Sequence, residues 1–242
     1  MKTIMALGLI LAVPSVGFAD PLREKDFSLK ETRALVSIYA NCVVQYEPRL
    51  AWKVVRENPN GETIKKRYSN IYQLGCNHKS KVQVAYMRFS GDTFYYALAE
   101  ALFRRDLSET PLADLAAVPA LTHRKARAFD LSRIAESGDD ATDVLKSRND
   151  QLAAEFLSPY GECIVRAAPE PARKLLQTPA SSAYETAGFT LIQPALAQCL
   201  PPGTQLKFSK MAIRGAIAFA YVRLADAATP GAYPSAKARP DA

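Results

Sequence analysis

Tyr39-Ala40-Asn41-Cys42-Val43-Val44-Gln45-Tyr46-Glu47-Pro48 and Tyr160-Gly161-Glu162-Cys163-Ile164-Val165-Arg166-Ala167-Ala168-Pro169 are one pattern written twice. Tyr, Cys, two branched apolar residues and Pro recur at the same spacing. In the first copy Leu35, Ile38, Tyr39, Cys42, Val43 and Tyr46 fall at helical intervals, the stripe of an amphipathic helix. Ser28-Leu-Lys-Glu31 ahead of it is a capping box. Pro48 then suits the first turn of a new helix, which needs no amide donor there.

Working outward, the two halves keep the same order. Leu50, Val54 and Val55 give the second helix an apolar edge, ended by Asn58-Pro59-Asn60-Gly61. Ile64, Tyr68 and Ile71 mark a third helix. Lys81 to Phe89 alternates as a short strand, and Ser90 reads as the cap of a fourth helix carrying Phe94, Leu98 and Leu102. In the second half Pro169 opens a helix with Leu175 and Leu176. Ser182 and Glu185 form another capping box, and Pro194 predicts a kink in the helix that follows. Ser209 caps the last helix. There Ala216-Ile217-Ala218 matches Ala97-Leu98-Ala99, Phe219 stands where the first copy has Glu100, and Arg223 matches Arg104. The expected fold is mainly α: two homologous helical modules, each stapled by one disulfide, with short β segments before the last helix of each.

Residues 1–19 have the make-up of a signal peptide, with Lys2, an apolar run from Ile4 to Val13, and Gly17-Phe18-Ala19 where a signal peptidase reads small residues. Cleavage near Ala19 predicts a periplasmic or secreted protein. The run is short of the ~20 apolar residues a membrane span takes. The longest later run, Met211 to Val222, is also too short and carries Arg214, so no transmembrane span is expected in the mature chain.

The chain has four cysteines, Cys42, Cys76, Cys163 and Cys199. An even number in an exported chain favours disulfides. The repeat selects one connectivity, Cys42–Cys76 and Cys163–Cys199, because those two separations nearly match. With no C-x-x-C and only His78 and His123 as histidines, neither a metal site nor a cofactor is expected.

The boundaries implied are a signal peptide over 1–19, a first module over 20–105, an acidic connector over 106–158, a second module over 159–226 and a disordered tail over 227–242. The connector holds proline turns, the basic cluster His123-Arg124-Lys125-Ala126-Arg127 and the acidic run from Asp139 to Asp143. It reads as one or two marginal helices, the last leading into Tyr160.

Common catalytic signatures are missing: there is no G-x-S-x-G, H-E-x-x-H, P-loop or dinucleotide fingerprint. Disulfides leave no thiol nucleophile. Both histidines sit among cations and read as surface residues. Carboxylates are the remaining route, and Glu100 is the candidate acid for cleaving envelope glycans, against the plainer reading of a half-exposed helix face. Trp52, Lys53, Arg56, Lys65, Lys66 and Arg67 interleave cations with aromatics, a candidate surface for an anionic envelope lipid or glycan. The plainer reading is a solvated helix face. The formal charge of +7 is too modest an excess for a nucleic-acid module.

Gly161-Glu-Cys-Ile-Val-Arg166, with Cys199-Leu-Pro and Phe208-Ser following, resembles small uncharacterised exported helical proteins of alphaproteobacteria, of sphingomonad type. The resemblance covers the second copy best, implies export and helical architecture, and carries no assigned activity. The expected function is that of an exported, non-enzymatic binding or interaction protein with its ligand in a groove between the modules. A carboxylate hydrolase of envelope glycans is the alternative.

Overall fold

The structure, a computed structural model, describes residues 28–59, 61–71, 75–76, 92–110, 114–115, 117–127, 141–203 and 208–233. Among them every regular element is helical: α1 (Leu29–Tyr46), α2 (Pro48–Glu57), α3 (Gly61–Arg67) with a 3-10 turn (Ser69–Ile71), α4 (Thr93–Leu102), α5 (Ala141–Ala167), α6 (Pro169–Gln177), α7 (Ala183–Gln198) and α8 (Lys210–Ala228). The expected signal segment 1–19, the expected strand at 81–89, the stretch 204–207 before the last helix, and His78 lie outside the described residues.

Each half runs in the same order. A long helix ends in a bend at Glu47 or Ala168, whose backbone angles nearly coincide, and a helix with proline in its first turn follows. Cys42–Cys76 and Cys163–Cys199 are bonded, at sequence separations of 34 and 36 and Cα distances of 5.7 and 5.8 Å. In the chain-entropy account each loop of that length contributes about 3–4 kcal/mol.

The final helices of the halves meet in one core. α8 lies against α4 on one side and α5 on the other, and α4 packs on α1 and α2. Small residues permit this. A Cβ on Gly215 would sit 2.5 Å from Cβ of Tyr96, and one on Gly161 would sit 2.5 Å from the Ala216 carbonyl oxygen. Phe219 packs edge-on against both Tyr95 and Tyr96, and Phe103 meets Tyr221 the same way at 5.2 Å.

Several local expectations hold. Ser28 and Glu31 form the full capping box, and Ser209 accepts the Ala212 amide. The second box is half made: Ser182 Oγ accepts the Glu185 amide, but the Glu185 carboxylate turns to the Ser181 amide and to Arg33. The buried face of α1 is rotated from the expected stripe. Val36, Tyr39, Ala40, Val43 and Val44 are buried, while Ile38 and Tyr46 are exposed. α4 begins at Thr93 with Asp92 as its cap residue, not at Ser90. α7 passes Pro194 as a continuous helix, with the ring on the exposed side.

Three boundaries change. The division between connector and second module at 158/159 falls inside α5, which runs through Pro159. Residues 117–127 of the connector form no helix; they lie extended along α5, held by its side chains. After Asp226, α8 continues to Ala228 and the described residues reach Tyr233, whose ring stacks on Trp52 at 4.6 Å. The expected disorder of 227–242 thus fails for 227–233, because an aromatic partner inside the core outweighs the local polar composition.

Candidate functional site

The four helices that meet at the junction of the halves leave a cleft of about 280 Å³. α1 supplies Val36 and Arg33; α4 supplies Tyr96, Ala97 and Glu100. α5 adds Asp150, Ala153, Ala154 and Leu157, and the start of α8 adds Met211. Ala153 and Ala154 on α5 and Ala97 on α4 keep the space open, since none has a side chain long enough to cross it. The walls are mainly apolar, the usual make-up of a small-molecule site.

Beneath the cleft runs a network of charges built on Arg214. This arginine is 0% exposed and interrupts the apolar face of α8. Its guanidinium donates to the carbonyls of Leu175 (2.8 Å), Leu176 (3.0 Å) and Thr178 (2.9 Å) at the end of α6, where helix carbonyls run out of intrahelical donors. It also donates to Thr178 Oγ1 at 3.1 Å and to Glu100 at 3.2 Å. Glu100 is shared with Arg104 at 2.9 Å, while Arg33 holds Glu185 through two hydrogen bonds, of 3.0 and 2.5 Å. Burial opposes ionisation of Glu185. The Arg33 hydrogen bond, the Ser181 amide and the Arg33 and Arg214 charges outweigh it and hold the carboxyl below the usual range.

Two groups at the cleft stand outside this balance. The Tyr96 hydroxyl is buried with no hydrogen-bond partner among the described residues, and burial pushes its pKa well up. A buried polar atom left unpaired costs about 1–3 kcal/mol. Asp150 forms no ion pair or hydrogen bond among the described residues. Burial raises its carboxyl pKa above the ordinary value; Lys146 opposes this and Asp92 adds to it. Asp92, by contrast, is gripped by Arg124 through both carboxylate oxygens.

A second constellation lies on another face of α5. His123 Nδ1 is 2.8 Å from Ser158 Oγ, and its Nε2 is 2.6 Å from Glu162 Oε2. Serine, imidazole and carboxylate in that order match the parts of an acyl-transfer triad. Their surroundings make them a clamp instead. Ser158 is 8% exposed beneath the connector and lines no cleft described here. Glu162 also accepts the Leu121 amide (3.1 Å) and Arg166 Nε (2.8 Å). The row continues at every turn of α5: Arg166 donates to the carbonyls of Leu115, Val118 and Pro119, Glu155 accepts the Ala126 amide, and Gln151 accepts the Arg127 amide. One helix face thereby satisfies the backbone of an extended strap that has no sheet or helix of its own. His123 is therefore not the surface residue its cationic neighbours suggested.

The expected basic surface does not assemble. Trp52 is fully buried, donates from Nε1 to Asp106 at 2.8 Å and stacks on Tyr233. Arg56 is held by both oxygens of Asp226 at 2.6 Å. Lys53 lies over the Tyr68 ring at 5.5 Å and beside Glu57 at 3.9 Å. Lys66 and Arg67 are exposed on α3; the Lys65 side chain lies outside the described ones. A shallower depression beside Arg104 and Arg105 offers no free cation either, since Arg105 donates to the Val44 carbonyl and pairs with Asp106.

Glu100 does line the cleft, but with two guanidiniums on its carboxylate it is an anchor first. Asp150 and Tyr96 were not singled out by sequence reading. Arg214 was visible as a lone cation in an apolar run, and that is the signal that a buried partner set must exist. Among the described residues no group of three or more His, Cys, Asp or Glu could hold a metal ion, and no helix is long and apolar enough to cross a membrane. No protein family, curated protein or solved structure matches the chain.

Proposed function

We propose that the protein is exported and binds a small ligand in the cleft between α1, α4, α5 and α8. The observation that carries this is an open space of about 280 Å³ at the junction of the halves, lined by Tyr96, whose buried hydroxyl has no hydrogen-bond partner among the described residues. The leader-like sequence and two disulfides support export. The matched bends, bridges and final helices support descent of the two halves from one module. An anionic envelope ligand at the first-half cations is supported less well, because Trp52 and Arg56 are engaged inside the fold.

The test is a fragment screen by ligand-observed NMR on the mature protein, repeated with Ala154→Trp, which fills the cleft. Hits on the native protein that vanish in the variant are expected. Hits that persist in Ala154→Trp would place binding elsewhere.

A second reading, hydrolysis of envelope glycans, draws on one observation: Glu100 and Asp150 line the same cleft, and the Asp150 carboxyl is raised as an acid's would be. A zymogram on purified cell wall decides it. Clearing that is lost in Asp150→Asn supports hydrolysis, and no clearing by the native protein removes it.

A further inference from the structure

The walls of the cleft say what kind of molecule it takes. Its charged side chains are Arg33, Asp92, Glu100 and Asp150. Arg33 is bound to Glu185 through two hydrogen bonds, Asp92 to Arg124, and Glu100 to Arg104 and Arg214. Each of those charges is neutralised from within the fold. Asp150 alone of the four has no ion-pair or hydrogen-bond partner among the described residues. It projects from α5 one turn before Ala153 and Ala154, beside the apolar part of the cleft.

We infer that the cleft binds an organic cation, with an apolar body between Tyr96, Ala97 and Ala154 and a protonated amine against the Asp150 carboxylate. This rests on the reading of the cleft as a ligand site. The one cleft charge with no bonded partner among the described residues is negative, so an anionic ligand would be repelled there, and a neutral one would leave the carboxylate without a counter-ion. Two further features agree. Tyr96, a lining residue, has a buried hydroxyl with no hydrogen-bond partner among the described residues. The aromatic face of Tyr96 also suits an ammonium group. Asp150 meets Asp92 from α4, Lys146 from its own helix, and Glu100 and Arg33 across the cleft. A bound cation favours its ionised form against the burial that opposes it, so amine affinity rises as pH rises through its pKa.

Three probes that share a phenylethyl body separate the cases: 2-phenylethylamine, 2-phenylethanol and 3-phenylpropionate, titrated by calorimetry or ligand-observed NMR. The amine is expected to bind about tenfold tighter than the alcohol, and the acid weakest. Asp150→Asn should bring the amine down to the affinity of the alcohol and leave the alcohol unchanged. Asp150→Glu should keep the preference, which separates loss of charge from loss of fold. Alcohol or acid binding as tightly as the amine, or an amine affinity indifferent to Asp150→Asn, overturns the cation assignment and leaves the cleft standing. If no probe binds, or if binding survives Ala154→Trp, the cleft reading itself fails.

Discussion

Replacing Arg214 by Met tests the charge network that holds the two halves together. Met fills much of the volume, so the change removes the fork of donors and little packing. At the end of α6 the carbonyls of Leu176 and Thr178 lose the Arg214 donor, while that of Leu175 keeps the Thr178 amide and hydroxyl. Glu100 keeps only Arg104, and Glu185 keeps Arg33 but loses the second guanidinium at 3.5 Å. Breaking a buried ion pair on one side costs about 3–5 kcal/mol. For a protein of this size each kcal/mol shifts the melting temperature by about 2–4 °C. The expected drop is therefore about 6–20 °C, read by circular dichroism with both disulfides intact. Arg214→Lys keeps the charge but not the fork, and should fall between the two. Adding Glu100→Gln to Arg214→Met should recover part of the loss, because the under-compensated carboxylate is gone. A melting temperature for Arg214→Met within about 2 °C of the native value would refute the reasoning.

Gly215→Ala puts a methyl against the Tyr96 ring where α4 and α8 cross, and overpacking of this kind costs about 1–3 kcal/mol in chemical denaturation. Replacing Cys163 and Cys199 together by Ser should remove about 3–4 kcal/mol, and peptide mapping without reduction should recover Cys42 linked to Cys76. Glu162 is held below its ordinary pKa: burial opposes ionisation, but the Leu121 amide, Arg166 and His123 outweigh it. With Glu185 it therefore contributes stability that is full above about pH 4.5 and lost as pH falls through the depressed values, so Glu162→Gln should flatten that acid limb of the melting curve. Asp150 has the opposite sign: its raised pKa makes the ionised form a cost above the ordinary value of 3.8, so Asp150→Asn should raise the melting temperature at pH 7 and change little well below pH 3.8. A fluorophosphonate probe should leave Ser158 unlabelled, because the strap covers it.

The helices and bridges were legible because they rest on short-range signals. Ser28 and Glu31 are three residues apart, Pro48 and Pro169 mark first turns, and the cysteines repeat at matched spacing. What escaped depends on distant partners. The strap at 117–127 has no periodicity of its own; it is held by Arg166, Glu162, Glu155 and Gln151, 24 to 48 residues further on. Tyr233 looked like part of a polar tail until Trp52 supplied a stacking face. The basic stretch from Trp52 to Arg67 looked like a surface because composition does not show that Arg56 meets Asp226 across the fold. Glu100 was singled out because Phe219 occupies its place in the other half, and it does border the cleft. The carboxylate left unpaired there, Asp150, sits in an ordinary polar helix, where nothing in the local sequence sets it apart.

The most direct measurement is a crystal structure of the protein soaked with 2-phenylethylamine. The account predicts the ring between Tyr96 and Ala154 and the nitrogen about 3 Å from the Asp150 carboxylate. An empty cleft at saturating amine, or an amine seated elsewhere with Asp150 facing solvent, would contradict it.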